Sequence, residues 1–419
     1  MHVWRHIVQR THIKTLSDKW THIKINHYVL FVLLSFSLSA QCDTIKIGLT
    51  GPFSGGSSPM GESMRNGVRL AVEEINSIGG IRGKQIELIE RDDQANNELG
   101  ARIAEELTQA KVVASIGIVN TGVGLASIEH YQKARIPLMI AVSTGTALTR
   151  KFSPPTAKEN FIFRVSPTLD LEAKILVADL KKRGLFKIAI LADTTPYGDA
   201  GLNAFSEQSR LAGLNLVAQL RFKVGDTDMS YQLRQARSEG AQALIAWGIG
   251  PELATIARGI HNLNWHVPLL GSWTFSMRNF IDGAGRASEG ALMTQTFIQD
   301  AGSTVKNSFL LAYRRNFKTD MLTSPMSAAQ AYDGMHLLAL AIRQAGNQDG
   351  NAIRLALENL NTRYQGVVTS YEKPFSATDH DAITSNMLVI GKVVGGRIEF
   401  AYQEDQQRSG ILQVKQKSN

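Results

Sequence analysis

The 419-residue chain has a single cysteine, Cys42, so neither a disulfide framework nor a thiolate metal site can be built from it. Signatures of common enzymes are missing too: there is no GxSxG elbow, no HExxH pair and no P-loop. Catalysis therefore has no motif to stand on. No basic run or arginine-rich helix invites nucleic acid, and no helix-turn-helix segment precedes the first strand. Low-complexity tracts are also absent, and 43% hydrophobic with 20% charged residues is the composition of a folded chain.

What is there begins with a leader. Arg5, Arg10, Lys14, Lys19 and Lys24 precede an apolar stretch from Tyr28 to Leu38, which is too short to span a bilayer and ends in the small residues Ser39 and Ala40. Residues 1–42 read as a cleavable export signal, and the mature protein is expected in the periplasm. Cleavage after Ala40 and cleavage after Cys42 both fit; Gln41 just before Cys42 argues against a lipid anchor. The leader carries five basic residues and one acidic one, so the formal charge falls from +8 to +4 without it. A mildly positive body suits an anionic ligand.

Past the leader, short apolar runs alternate with helical stretches, the pattern of βαβ units. Strands are expected at Ile45 to Thr50, Gln85 to Glu90, Val112 to Val119 and Pro137 to Val142, and continuous apolar runs of this kind suit a parallel sheet covered on both faces. A second set begins after Arg164, with strands at Lys187 to Ala192, Leu214 to Leu220, Ala243 to Trp247 and Val267 to Gly271. The fold class is α/β: two doubly wound, Rossmann-like lobes of about five strands each. A ligand between them would lie at the carboxyl ends of the strands. Helices at Thr304 to Phe317 and Ser327 to Ala345 are expected to return to the first lobe, which makes the hinge multi-crossing. The expected division is 43–165 for lobe 1, 166–297 for lobe 2, 298–370 for the return to lobe 1, and 371–419 for lobe 2 with the hinge and C-terminal segment.

The ordered set IKIGLTGPFSGG, EEINSIGGIRGK, ELIERDDQ, IPLMIAVSTGTALT, ADTTPYGD, AQAYDG and PFSATDHDAI resembles the type I periplasmic binding proteins of the leucine/isoleucine/valine-binding family, the extracytoplasmic receptors of ABC importers. The resemblance covers nearly the whole mature chain. It implies a cleft in which a Ser/Thr loop of the first lobe, Ser143, Thr144 and Thr146, holds a ligand carboxylate, with Thr121 as a second hydroxyl position. It also implies an aromatic wall at Tyr197 and a ligand contact at Met60. Independently, hydroxyls, free N–H groups and the dipole of the helical segment that follows favour an anion there.

Two departures from the family stand out. Its amino-acid binders commonly carry a carboxylate for the α-ammonium after the strand at Val267 to Gly271, where this chain has Trp273, and Ile249 stands where a tyrosine is usual. A buried ammonium without a partner costs several kcal/mol. An aromatic or branched aliphatic acid lacking an α-ammonium is thus a ligand class beside branched-chain amino acids, unless the Trp273 ring receives the cation by cation-π contact or Asp170, Asp193 or Glu252 reaches in. Each signal also has a plain structural reading: Ser and Thr before a helix cap it, Tyr197 and Trp273 can be packed aromatics, and Met60 can be loop packing. The stretch from Gly122 to Ser127 lacks the third glycine of a dinucleotide fingerprint. Asp379, His380 and Asp381 read as turn residues rather than a metal site.

The leading function is the substrate-binding component of an ABC importer, expected as a monomer with permease subunits as partners, without cofactor, metal or nucleic acid. A periplasmic sensor subunit and an exported hydrolase on the same fold are the competing classes.

Overall fold

The apolar runs form two sheets with one winding, made twice. The computed structural model describes residues 44–300, 302–409 and 413–415; the export signal read over 1–42 lies outside them. In the first lobe β1 (Ile45–Gly51), β2 (Ile86–Asp92), β3 (Ala114–Gly117), β4 (Leu138–Ile140) and β5 (Ile162–Arg164) lie in the order β2-β1-β3-β4-β5, all parallel. Every residue of β3, β4 and β5 is buried, which is why these runs show no polar alternation.

In the second lobe β6 (Lys187–Asp193), β7 (Asn215–Phe222), β8 (Ala243–Trp247), β9 (Leu269–Gly271) and β10 (Leu292–Gln295) repeat that order as β7-β6-β8-β9-β10, again parallel. After a small antiparallel ladder of β11 (Tyr364–Gln365) and β12 (Ser370–Tyr371), the chain adds β13 (Val389–Val394) and β14 (Arg397–Phe400) antiparallel beside β10. The second sheet therefore has seven strands where about five were expected. Its extra pair is a tight hairpin: Gly395 and Gly396 both take positive φ, 54° and 75°, as the turn matching strand twist requires.

The chain passes between the sheets after β5, after β10 and again before β13, which makes the hinge multi-crossing. The helix Pro325–Ala345 packs on the helix Ser58–Ser77 that follows β1. The approach is close because position 67 is glycine: a Cβ there would sit 2.2 Å from the carbonyl oxygen of Ala328. Gly67→Val should force the two helices apart and lower stability by about 1–3 kcal/mol. A drop in the urea midpoint at unchanged slope would register it; an unchanged midpoint would mean the helices slide freely.

Among the described residues no helix is long and apolar enough to cross a membrane. Trp273 and Met277, which follow β9, share one buried cluster with Ile47, Met60 and Met64 of the first lobe. The two lobes are in contact at the ends of their strands.

Candidate functional site

Open parallel sheets leave a crevice at the carboxyl ends of their strands, where successive helices turn to opposite faces. All eight residues singled out by the sequence fall at such ends: Met60 after β1, Thr121 after β3, Ser143, Thr144 and Thr146 after β4, Tyr197 after β6, Ile249 after β8 and Trp273 after β9. The two lobes meet there. The backbone N–H of Leu169, opening the first helix of the second lobe, donates to the Thr144 carbonyl at 2.8 Å.

On the first-lobe side, the Thr121 and Ser143 hydroxyls bond each other at 3.1 Å, and the Ser143 carbonyl accepts from Ser166 at 2.7 Å. Gly145 lets the loop lie against Thr121, since a Cβ on it would come within 2.5 Å of the Thr121 methyl. With that pair satisfied, the buried Thr144 and Thr146 hydroxyls are left without a hydrogen-bond partner. Buried polar atoms rarely stay so in a finished structure. One expectation needs correction. The helix after this loop, Ala147–Arg150, is a single turn, too short for a helix dipole to favour an anion. The hydroxyls themselves must do the work.

On the second-lobe side, Tyr197 is buried and its hydroxyl donates to Ser272 at 2.8 Å. Ser272 bonds Thr274 at 2.8 Å, and Thr274 donates to the Gly248 carbonyl at 2.9 Å. The phenol is thus committed to the protein, and only the ring remains for a ligand. Trp273 is 4% exposed, and its indole N–H has no partner. Ile249 is half-buried and packs against the clusters of both lobes. Met60 is fully buried among first-lobe core residues, the packing role open to it from the sequence.

Of the three carboxylates weighed as partners for a ligand cation, Asp170 and Asp193 are engaged by the protein, and Glu252 keeps one buried oxygen open. Asp170 forms an exposed ion pair with Arg150 at 3.3 Å. Asp193 accepts from the Thr195 N–H and hydroxyl and from the Ile249 N–H, and Glu252 accepts from the Gly225 N–H at 2.6 Å through Oε1 while its Oε2 has no partner. The carboxyl that stands beside Trp273 is one the sequence reading passed over, Glu172. It is completely buried. Its Oε2 accepts from the Trp273 N–H at 3.1 Å and from the Thr294 hydroxyl at 2.8 Å, while Oε1 has no partner. Burial pushes its pKa up to about 7 against the pull of those two donors. The Thr144 hydroxyl lies close enough to bias the titration of both Glu172 and Tyr197, yet bonds neither with good geometry.

Asp379 and Asp381 serve the chain itself: Asp379 accepts from the Asp381 N–H at 3.1 Å, and Asp381 pairs with buried Arg164 at 2.6 Å. Among the described residues no group of three or more potential metal ligands comes together. A separate groove of about 220 Å³ opens before the amino ends of β9 and β10, around Trp265, Pro268 and Gly290, and shares no residue with the cleft.

Comparison with known proteins agrees with this architecture. Residues 44–397 match the periplasmic binding protein family. Among curated relatives, the Leu/Ile/Val-binding protein homolog 3 of Brucella melitensis is 25% identical over 321 residues, 76% of this chain and 84% of the relative. A periplasmic binding protein type 1 from Bordetella pertussis superposes with a TM-score of 0.77 at 28% identity, covering 85% of this chain and 99% of that one. The branched-chain amino acid transporter substrate binding protein of Streptococcus pneumoniae, solved in complex with isoleucine, gives 0.74 at 25% identity, covering 85% and 98%. With the family matched over most of its length and the same winding in both lobes, the chain belongs to the periplasmic binding protein family, in its type I architecture.

Proposed function

We propose that this protein is the extracytoplasmic substrate-binding component of an ABC importer, which closes on a small carboxylate-bearing ligand and presents it to permease subunits. The single observation that carries the reading is the pair of buried, unpartnered Thr144 and Thr146 hydroxyls at the lobe junction. They are donors waiting for an acceptor from outside the chain, and a carboxylate offers several lone pairs at once. Relatives named for leucine, isoleucine and valine, and a solved relative holding isoleucine, support a branched-chain amino acid or a compound of that shape. The protein acts by binding rather than turnover, in the periplasm. The ligand favours closure because only the closed form brings Thr144 of one lobe against Tyr197 and Trp273 of the other. We place the lobe boundaries near 165, 297 and 370, a division that the crossings between the sheets support.

Calorimetric titration of the ligand-stripped protein with leucine, isoleucine, valine and their deaminated acids tests the reading. Thr144→Val keeps the shape and removes the hydroxyl. Its loss from a charged acceptor should cost about 1.5–3 kcal/mol, or a 10- to 150-fold weaker Kd. If none of these carboxylates binds the parent protein, or Thr144→Val binds as tightly as the parent, the assignment of the loop is wrong.

A further inference from the structure

Glu172 is a fully buried acid beside Trp273 for which the carboxylate reading has no use. It sits in the first turn of the helix Leu169–Lys182, where an acidic residue is ordinarily a surface partner of the helix dipole. Here it faces inward and is 0% exposed. A purely structural glutamate at that depth would have both oxygens satisfied. Only Oε2 is, by the Trp273 N–H and the Thr294 hydroxyl, and Oε1 is left open. Both bonding partners are neutral, so no cation of the protein balances an ionised Glu172 through them.

Resting on the reading of the Thr144 loop as the carboxylate holder, we infer that Glu172 receives the α-ammonium of the ligand, so that the cleft selects zwitterionic α-amino acids over acids that lack the amino group. The geometry that points to it is the neighbourhood of the two holders. In an α-amino acid one carbon bears both the carboxylate and the ammonium, so the groups that bind them must stand side by side. The Thr144 carbonyl accepts the N–H of Leu169, which opens the helix carrying Glu172 in its first turn, so the Thr144 loop and the Glu172 carboxyl stand side by side, one from each lobe. A ligand that bridges them ties the lobes together at its polar head, leaving its side chain for the apolar surroundings of Trp273 and Ile249. Trp273 then needs no charge of its own. It supplies a backbone donor that orients Glu172, and the carboxylate missing after β9 is replaced from another element. An acid without the amino group would close the cleft over an unpartnered Oε1, which binding sites reject strongly.

The experiment titrates ligand-stripped parent protein and Glu172→Gln with matched pairs: leucine against 4-methylpentanoate, valine against 3-methylbutanoate, phenylalanine against 3-phenylpropanoate. The parent should bind at least one amino acid 100-fold or more tighter than its deaminated partner. Glu172→Gln should lose most of that ratio by weakening the amino acid, while the deaminated acid changes less than threefold. A merely structural role would weaken both members of a pair alike, so an equal loss overturns the inference, as does an unchanged ratio. The parent's own ratio needs no variant to fold. If the deaminated acids bind the parent more tightly, Glu172 does not hold an ammonium although the carboxylate site stands. If neither member of any pair binds, the carboxylate reading falls and this one with it.

Discussion

Arg164→Ala is expected to lower the stability of the protein by about 3–5 kcal/mol, the usual cost of breaking a buried ion pair from one side, and to weaken ligand binding in whatever folded protein remains. Arg164 ends β5, is 0% exposed, and uses its whole guanidinium. Nε and Nη2 donate to Asp381 at 2.8 and 2.6 Å, Nη2 also to the Thr149 hydroxyl at 2.9 Å, and Nη1 to the Gly145 carbonyl at 2.7 Å. The last bond reaches the proposed carboxylate-binding loop, because Gly145 lies between Thr144 and Thr146. Removing the fork leaves the Gly145 carbonyl with only the Leu148 N–H and Asp381 with only the Thr149 hydroxyl and no charge partner, and it frees the loop that carries both unpartnered hydroxyls. The backbone adds to the consequence: Arg164 donates to the His380 carbonyl and accepts from Ala382, both at 2.9 Å, so the 376–382 segment is pinned to the edge of the first sheet here. Arg164→Lys keeps one charge but cannot serve three acceptors at fixed angles, and should fall between alanine and the parent. Equilibrium unfolding in urea reads the stability, and calorimetry at low denaturant reads the affinity. A loss below about 1 kcal/mol would show that water replaces the fork, contrary to its burial.

The same residues mark where sequence reasoning reached and where it stopped. Most strands of both parallel sets were legible because burial on both faces leaves continuous apolar runs, and the Thr304–Phe317 helix was bounded as it stands in the structure. Strands β5 and β10 were missed because runs of three and four residues give no period to read. The β13–β14 hairpin carried a usable signal, two glycines between Val389–Val394 and Arg397–Phe400, but it came after the repeating units had ended. At the site, hydroxyls and aromatics after strand ends were visible because order along the chain fixes which loop a residue occupies. Glu172 was not. Its sequence neighbours make it a first-turn acid of an amphipathic helix, one residue pair from exposed Asp170, and only the packing of Trp273 and Thr294 against it turns it into a buried carboxyl. Arg164 escaped for the same reason: its partners lie 15, 19 and 217 positions away.

Leucine affinity should fall about tenfold for each pH unit below 7 and level off above it, while the ligand-free protein gains stability over part of the same descent. Both slopes come from Glu172, whose pKa is pushed up to about 7 from the 4.5 of an unburied glutamate, chiefly by burial. An ammonium needs the ionised carboxylate, so below pH 7 the site must first release a proton. Folding runs the other way. The native state holds that proton more tightly than the unfolded chain, so the group's contribution to stability is complete below about 4.5 and is lost as pH rises through 7. The full swing is about 3 kcal/mol. Two titratable groups stand near: the Tyr197 phenol is pushed well above its usual value and stays neutral, and Asp193, beside it, is also raised by burial. Glu172→Gln separates their share, since it should flatten the affinity profile while leaving any slope due to Asp193. Calorimetry at pH 5.5, 6.5, 7.5 and 8.5 gives the profile, and repeating it in buffers of different ionisation enthalpy counts protons. The parent should release close to one proton per leucine bound at pH 6 and almost none at pH 8.5, and the variant none at either. An affinity in the parent that is flat from pH 5.5 to 7.5 would mean that the ligand never asks Glu172 to ionise, and the ammonium would then have to be sought elsewhere in the cleft.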